Sequence, residues 1–214
     1  MNLADDVTLL CVDTVNLPRA VAVLEHCKKS LPFKHVRLIS SLSGDYPHLV
    51  HISPLMLSAS DPLAVYSHFC IHELHKFFET SHCLIVQHDG YIVNPALWRD
   101  EWLEWDYIGC MTDWSEPGEG GKGGNGGFSL RSRKLMQLVS KKAGALCHPE
   151  DQILSAVAPL GIRSDLEAAG CRFAPASVQK IFGDETGNYL DTFGFHSKFH
   201  ADLVWLKNWL KTKG

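Results

Sequence analysis

Hydrophobic and polar positions fall into two rhythms along the chain. Residues 7–14, VTLLCVDT, are apolar almost without interruption until Asp13 and Thr14, the pattern of a strand buried on both faces. Leu17, Ala20, Val21, Leu24 and Cys27 then recur at helical spacing around Pro18, which predicts a helix that runs out near Ser30 and Pro32. Residues 35–39 and 49–52 read as the next two strands. Asp61 and Pro62 start a second helix, with Leu63, Tyr66, Cys70, Leu74 and Phe77 on one stripe, carrying the chain to Phe78. A strand follows at Leu84, Ile85 and Val86 and stops abruptly on Gln87, His88, Asp89 and Gly90.

Beyond this point the pattern predicts a short helix through Trp98 and Trp102, strands at residues 106–110 and in FSLRS (residues 128–132), and a helix over residues 132–142. Another helix opens at HPEDQIL with Pro149, Glu150 and Asp151 in its first turn. A strand near residues 171–173, a late apolar FGFH and a helix at about 200–212 complete the chain. Strands alternating with helices imply one α/β/α domain of Rossmann type over residues 1–214, with a mostly parallel central sheet. In such sheets ligands sit beyond the carboxyl ends of the strands, where Asp13 and Asp89 both fall.

Composition narrows the classes. With 214 residues, 45% hydrophobic and 21% charged, the chain has the profile of a globular domain with one sizeable core. A formal net charge of −4 and no arginine-rich arm give no field for nucleic acid. Seven cysteines without CxxC spacing, several inside apolar runs, read as reduced, buried thiols in a cytoplasmic protein. The start, MNLADDVTLL, carries acids where a signal peptide needs basic residues, and no apolar run reaches membrane-spanning length. The 200–212 segment has an apolar side with interspersed lysines, so packing on the domain and peripheral contact with a membrane surface are both compatible with it.

The candidate chemistry starts at Asp89. A carboxylate at the mouth of a buried strand must be hydrated, hydrogen-bonded or coordinated, yet Asp-Gly is also a common turn dipeptide, and either reading accounts for it. Residues 118–127 contain Gly118, Gly120, Gly121, Gly123, Gly124, Gly126 and Gly127. They match neither a Walker A loop nor a GxGxxG opening. Gly118 to Gly124 read as a flexible surface loop, whereas Gly126 and Gly127 lead into a strand where a ligand can approach the backbone closely. Glu150 and Asp151 suit the positive end of any helix dipole, so their position alone assigns them no role.

Taken together, VTLLCVDT, the segment from YSHFC to IVNP, WDYIGC, GNGGFSLRS, PEDQIL and FGFH resemble a microbial family of GT-A-type glycosyltransferase-like domains, from about Val7 to His196. The resemblance implies a transferase that moves a sugar from a nucleotide-sugar donor, a UDP-sugar first of all, to a glycan or lipid-linked acceptor, with inversion. It places Asp89 where the last acid of the DxD motif holds a divalent cation, with Gln87 replacing the first acid, and His196 where a late histidine completes the metal site; Mn²⁺ or Mg²⁺ suits such a donor set. By the same resemblance Asp13 and Thr14 meet the nucleotide, Asn125, Gly126 and Gly127 lie under the donor sugar, Asp151 is the base, and Glu150 orients the acceptor, with the reverse order of the two acids left open. Trp114 is the expected acceptor contact and the glycine-rich segment a closing flap. The implied location is the cytoplasm, at or near the inner face of the membrane, in polysaccharide biosynthesis. Gln87 in the DxD-like motif also admits a catalytically weak or inactive nucleotide-sugar or glycan-binding module. A metal-dependent phosphoesterase would need more acids and histidines around Asp89 than the sequence offers.

Overall fold

In a computed structural model of the chain, residues 2–53, 61–112, 123–156, 160–185 and 191–196 are described. The expected helix at 200–212 and Trp114 lie outside them.

The apolar run at the start becomes β1 (Val7–Val12), every residue of which is buried. Alternation decides which face each side chain serves, because successive Cβ atoms point to opposite sides of a strand. Leu9 and Cys11 join one core cluster, whereas Leu10 and Val12 join the other. In β4 (His82–Val86), Leu84 and Val86 fall with the first set and Cys83 and Ile85 with the second. The sheet is therefore coated on both sides.

After the opening turn α1 (Leu3–Asp6), one coat is built on α2 (Leu17–Ser30), whose Ala20, Val23, Leu24 and Cys27 are buried. The other is built on α3 (Pro62–His72) and α4 (Arg133–Lys142), through Phe69, Leu135, Met136 and Val139. Asn16 caps α2, Asp61 caps α3 and Ser132 caps α4, each accepting a backbone N–H through its side chain.

The central sheet has six strands in the order β3 (Leu49–His51), β2 (His35–Ser40), β1, β4, β7 (Asn125–Ser132), β6 (Tyr107–Cys110). The first four run parallel. Strand β7 runs antiparallel to both neighbours, so the mostly parallel α/β sheet carries one reversed strand that the local pattern could not orient. Asn125, Gly126 and Gly127, expected to precede this strand, form its first residues.

Other local differences are small. The helix through Trp98 and Trp102 is two 3₁₀ turns, Pro95–Leu97 and Asp100–Glu104, and the strand expected near residue 172 is a lone bridge between Tyr107 and Phe173. Trp102 packs edge-on against Trp98 and Phe182 within the core. Six of the seven cysteines are buried and all are free, as expected. Among the described residues no helix is long and apolar enough to cross a membrane.

A second, three-stranded sheet sets the site. It consists of β5 (Gly90–Ile92), β9 (Gly194–His196) and β8 (Gly183–Asp184), in the order β5-β9-β8. The antiparallel pairing of β5 with β9 places Gly90 opposite His196. This pairing carries the end of the described chain to the end of β4.

Candidate functional site

Strand β4 stops at Asp89 because the chain turns there. Gln87 N–H donates to Gly90 O at 2.9 Å and Gly90 N–H returns to Gln87 O at 3.0 Å, closing a four-residue turn between β4 and β5. The Asp-Gly turn and the ligand-facing acid are thus the same residues, since the turn lifts Asp89 into a cleft of about 400 Å³ beyond the carboxyl ends of β1 and β4.

That cleft gathers Asp13, Thr14, Gln87, Asp89 and His196. Asn125 and Gly127, at the start of the reversed strand, line it too, as do Glu150 and Asp151 of α5 (Glu150–Ser155). Of the described residues expected in the site, Gly126 alone stays off the wall. Its position is too crowded for a side chain, since a Cβ there would press on Glu150 Oε1 and come within 2.5 Å of Arg131 Nη2.

Asp13 is largely occupied by its own loop. Its Oδ1 accepts from Val15 N–H at 2.8 Å and Asn16 N–H at 2.7 Å, and its Oδ2 meets His88 Nδ1 at 3.1 Å. Burial works against its charge, but these three donors outweigh it and hold the carboxyl below its ordinary range. The end of β1 is thus part of the cleft wall, with His88 as an additional cleft residue.

His196 occupies the middle of a polar cluster. Its Nε2 lies 3.1 Å from Gln87 Oε1 and 3.4 Å from Asp89 Oδ1, and its Nδ1 lies 3.1 Å from Glu185 Oε1. Asn125 Nδ2 donates to the same Glu185 oxygen at 3.2 Å. Burial alone would discharge the ring, but Asp89 and Glu185 reverse this and raise His196 to about 9. Burial likewise opposes the Asp89 charge, and the His196 and His88 imidazoles bring it down to about 2.

A divalent cation can be tested against this cluster. Among the described residues no group of three or more His, Cys, Asp or Glu side chains is placed to hold a metal ion. Asp89 Oδ1 is nevertheless closed off from solvent with no hydrogen bond of good geometry, an expensive condition for a carboxylate oxygen. A cation would be held here by Asp89 and the Gln87 amide oxygen, and by His196 only once its ring proton is displaced, with the rest of the shell coming from a phosphate ligand.

The two acids of α5 differ sharply. Glu150 Oε1 is paired with Arg131 Nη2 at 2.8 Å. Asp151 Oδ1 accepts from Gln152 N–H at 2.8 Å and Oδ2 from Gly126 N–H at 3.3 Å. Burial first, and the neighbouring Glu150 charge second, raise Asp151 to about 6, against the lowering effect of those N–H groups and Arg131.

Sequence reasoning missed Arg131, Glu185, His88 and the Ser67–His148 pair, whose Oγ and Nδ1 lie 2.9 Å apart at the cleft wall. Arg131 stood in plain view within GNGGFSLRS, and an arginine inside a buried strand was the signal. Glu185 carries no local signal, because only the β8–β9 pairing places it. Gly123 and Gly124, expected in a flexible surface loop, are buried instead, and a Cβ on Gly109 would come within 2.7 Å of the Gly124 backbone. The expected Trp114 acceptor contact and Gly118 to Gly121 lie outside the described residues.

The described residues define a Rossmann-like α/β protein whose strand ends, reversed strand and small second sheet converge on one cleft of acids and imidazoles. The chain belongs to the family described as Protein of unknown function (DUF5672), whose model matches residues 59–196 and so takes in Asp89, Asn125, Glu150, Asp151 and His196. Comparison with the curated proteins returns no match.

Proposed function

We propose that this protein is a GT-A-type glycosyltransferase that moves a sugar, with inversion, from a UDP-sugar or related nucleotide-sugar donor to a hydroxyl of a glycan or lipid-linked acceptor. The observation that carries this reading is the convergence of Asp89, His196 and Asp151, from three separate parts of the chain, on the walls of one cleft. A scattered placement of these groups would have removed its basis.

In this reading Asp151 accepts the proton of the acceptor hydroxyl as its oxygen attacks the anomeric carbon. The bond from that carbon to the donor phosphate oxygen breaks, and the nucleoside diphosphate departs from the opposite face. A carboxylate raised to about 6 is ionised at neutral pH yet basic enough to share a proton in the transition state. Asp89 and His196, with Gln87, hold the diphosphate end. Mn²⁺ or Mg²⁺ bound there supplies positive charge where the leaving group becomes negative. Asn125 and Gly127 form the floor between the two ends, where glycine lets a sugar ring approach the backbone. Asp13 and Thr14 form the nucleotide wall. The reading locates the protein in the cytoplasm, with peripheral contact to the inner face of a membrane when the acceptor is lipid-linked.

A second reading, a nucleotide-sugar or glycan-binding module with little or no turnover, is favoured by Gln87 standing where an acid would bind the cation. Both readings are tested by thermal shift with a panel of UDP-sugars and free UDP, with and without Mn²⁺, followed by donor turnover. Transfer predicts a Mn²⁺-dependent shift together with turnover that is lost in Asp151→Asn while the shift remains. A shift without turnover in the wild type selects the binding module. A flat melting curve across every nucleotide and nucleotide sugar overturns both.

A further inference from the structure

Arg131 is the buried charge of the site that the transfer reading leaves without a task. Its side chain is 0% exposed, deep enough that an unpaired guanidinium would be strongly destabilising. The strand and α5 supply its acceptors. Nε donates to Ser129 Oγ at 2.9 Å, and Nη2 donates to Glu150 Oε1 at 2.8 Å and to Gly126 O at 3.1 Å. Ser129 Oγ also donates to Gly126 O at 2.7 Å, so this one carbonyl is held by two side chains of its own strand.

Gly126 needs such a clamp. A Cβ there would push into the ends of the Glu150 and Arg131 side chains, and glycine is the residue least able to hold a backbone conformation unaided. With its carbonyl tied on one side of Cα, its N–H on the other side meets Asp151 Oδ2 at 3.3 Å. We propose that Arg131 is the positioning residue of the acid pair: it takes Glu150 as a structural counter-ion and, through the Gly126 peptide, aims Asp151 into the cleft as the single carboxylate left to accept a proton. The catalytic half of this statement rests on the transfer reading; the clamp itself does not.

Among the described residues, the charged and titratable groups near Asp151 are Glu150 on the same helix, Arg131 on β7, the Tyr107 hydroxyl on β6, which donates to Gly124 O at 3.1 Å, and Tyr66 on α3 beside Glu150 and Arg131. Burial pushes both tyrosines up, so they stay neutral. His148, held by Ser67, lines the same cleft.

Two backbone amides report the clamp directly. Gly126 N–H bonds one oxygen of Asp151 and Gln152 N–H the other, so NMR titration of the wild type should show both amide protons following one midpoint near 6. In Arg131→Met/Glu150→Gln, which removes both members of the buried pair so that neither charge is stranded, Gln152 should keep its transition while the Gly126 amplitude falls by roughly half or more. Arg131→Lys keeps a buried cation but not the planar fork; it should show the same selective loss, and it carries the comparison alone if the double variant does not fold. A Gly126 transition of undiminished size in the folded variants overturns the clamp. So does a wild-type Gly126 amide that fails to follow Gln152, a condition that needs no variant.

Hydrolysis of UDP-glucose in the presence of Mn²⁺ separates the two claims. Where the wild type turns over, Arg131→Lys should lower kcat by about 10- to 100-fold with KM changed less than about threefold, since it disturbs a group that acts in the transition state. If no UDP-sugar turns over, the transfer reading fails, and the amide titration still decides the clamp.

Discussion

The imidazole of His196 stands 3.4 Å from the carboxylate of Asp89, carried there by the pairing of Gly90 with His196 across β5 and β9. The consequence is a compact polar cluster at the mouth of β4 in which one oxygen, Asp89 Oδ1, is buried without a hydrogen bond of good geometry. Its charge is answered mainly by the His196 imidazole, and in the proposed function a phosphate-bound cation would complete its contacts.

Binding should therefore be cooperative between metal and nucleotide. Calorimetric titration with Mn²⁺ alone is expected to give weak binding, and UDP should strengthen it. Asp89→Asn, which keeps the shape and removes the charge, should weaken Mn²⁺ binding in the presence of UDP by about 10-fold or more. Equal Mn²⁺ affinity with and without UDP would remove the case for a shared site.

Asp151→Asn should reduce donor turnover by about 10²- to 10⁴-fold, the usual contribution of a general base, while leaving the UDP-induced thermal shift within about one degree of wild type. Because the base must be ionised, wild-type turnover should fall as pH drops through about 6. Steady-state rates between about pH 5 and about pH 8, a range that brackets this midpoint, check both statements.

The same carboxyl should weaken the fold. Its pKa is raised from 3.8 to about 6, so the native state favours the protonated form. The stability associated with that form is fully present below the unfolded value and is lost as pH rises through about 6. Asp151→Asn removes this loss and should stabilise the protein at neutral pH by about 1–3 kcal/mol, with little gain at pH values below the unfolded pKa. Denaturant unfolding at the two pH extremes measures the difference, and an equal effect at both would contradict the sign.

Gly127 should tolerate no side chain. A Cβ there would lie 2.6 Å from Gln87 Oε1 and press on the His196 ring. Gly127→Ala is expected to cost about 1–3 kcal/mol through overpacking and to abolish the Mn²⁺-dependent UDP shift by displacing His196. Circular dichroism confirms the fold, and a variant that keeps the full shift would show that His196 is not needed at that place.

Much of the fold was legible along the chain. Strands β1 and β4 are mostly apolar because both faces of a central strand are covered, and α2 shows its stripe; α3 keeps its start at Asp61 and Pro62, but the expected stripe opens on exposed Leu63 and the helix ends at His72 rather than Phe78. Asp13 and Asp89 were legible as candidates because an acid at the end of a buried strand must be satisfied somehow, whereas Glu150 and Asp151, which suit any helix start, became candidates only through the family resemblance. The orientation of β7 was not legible, since alternation is the same in either direction. Nor was the shared duty of the Asp89 turn, because a turn dipeptide looks alike whether it faces solvent or a cleft.

The sequence by itself determined the α/β class, the buried strands and which residue types could do chemistry, because those depend on local period and local polarity. Only the tertiary structure decided that His196 meets Asp89, that Glu185 supports His196 and that Arg131 claims Glu150 and leaves Asp151. Those relationships arise from strand pairing and helix packing between distant segments, and no local pattern of hydrophobicity records which segment will lie beside which.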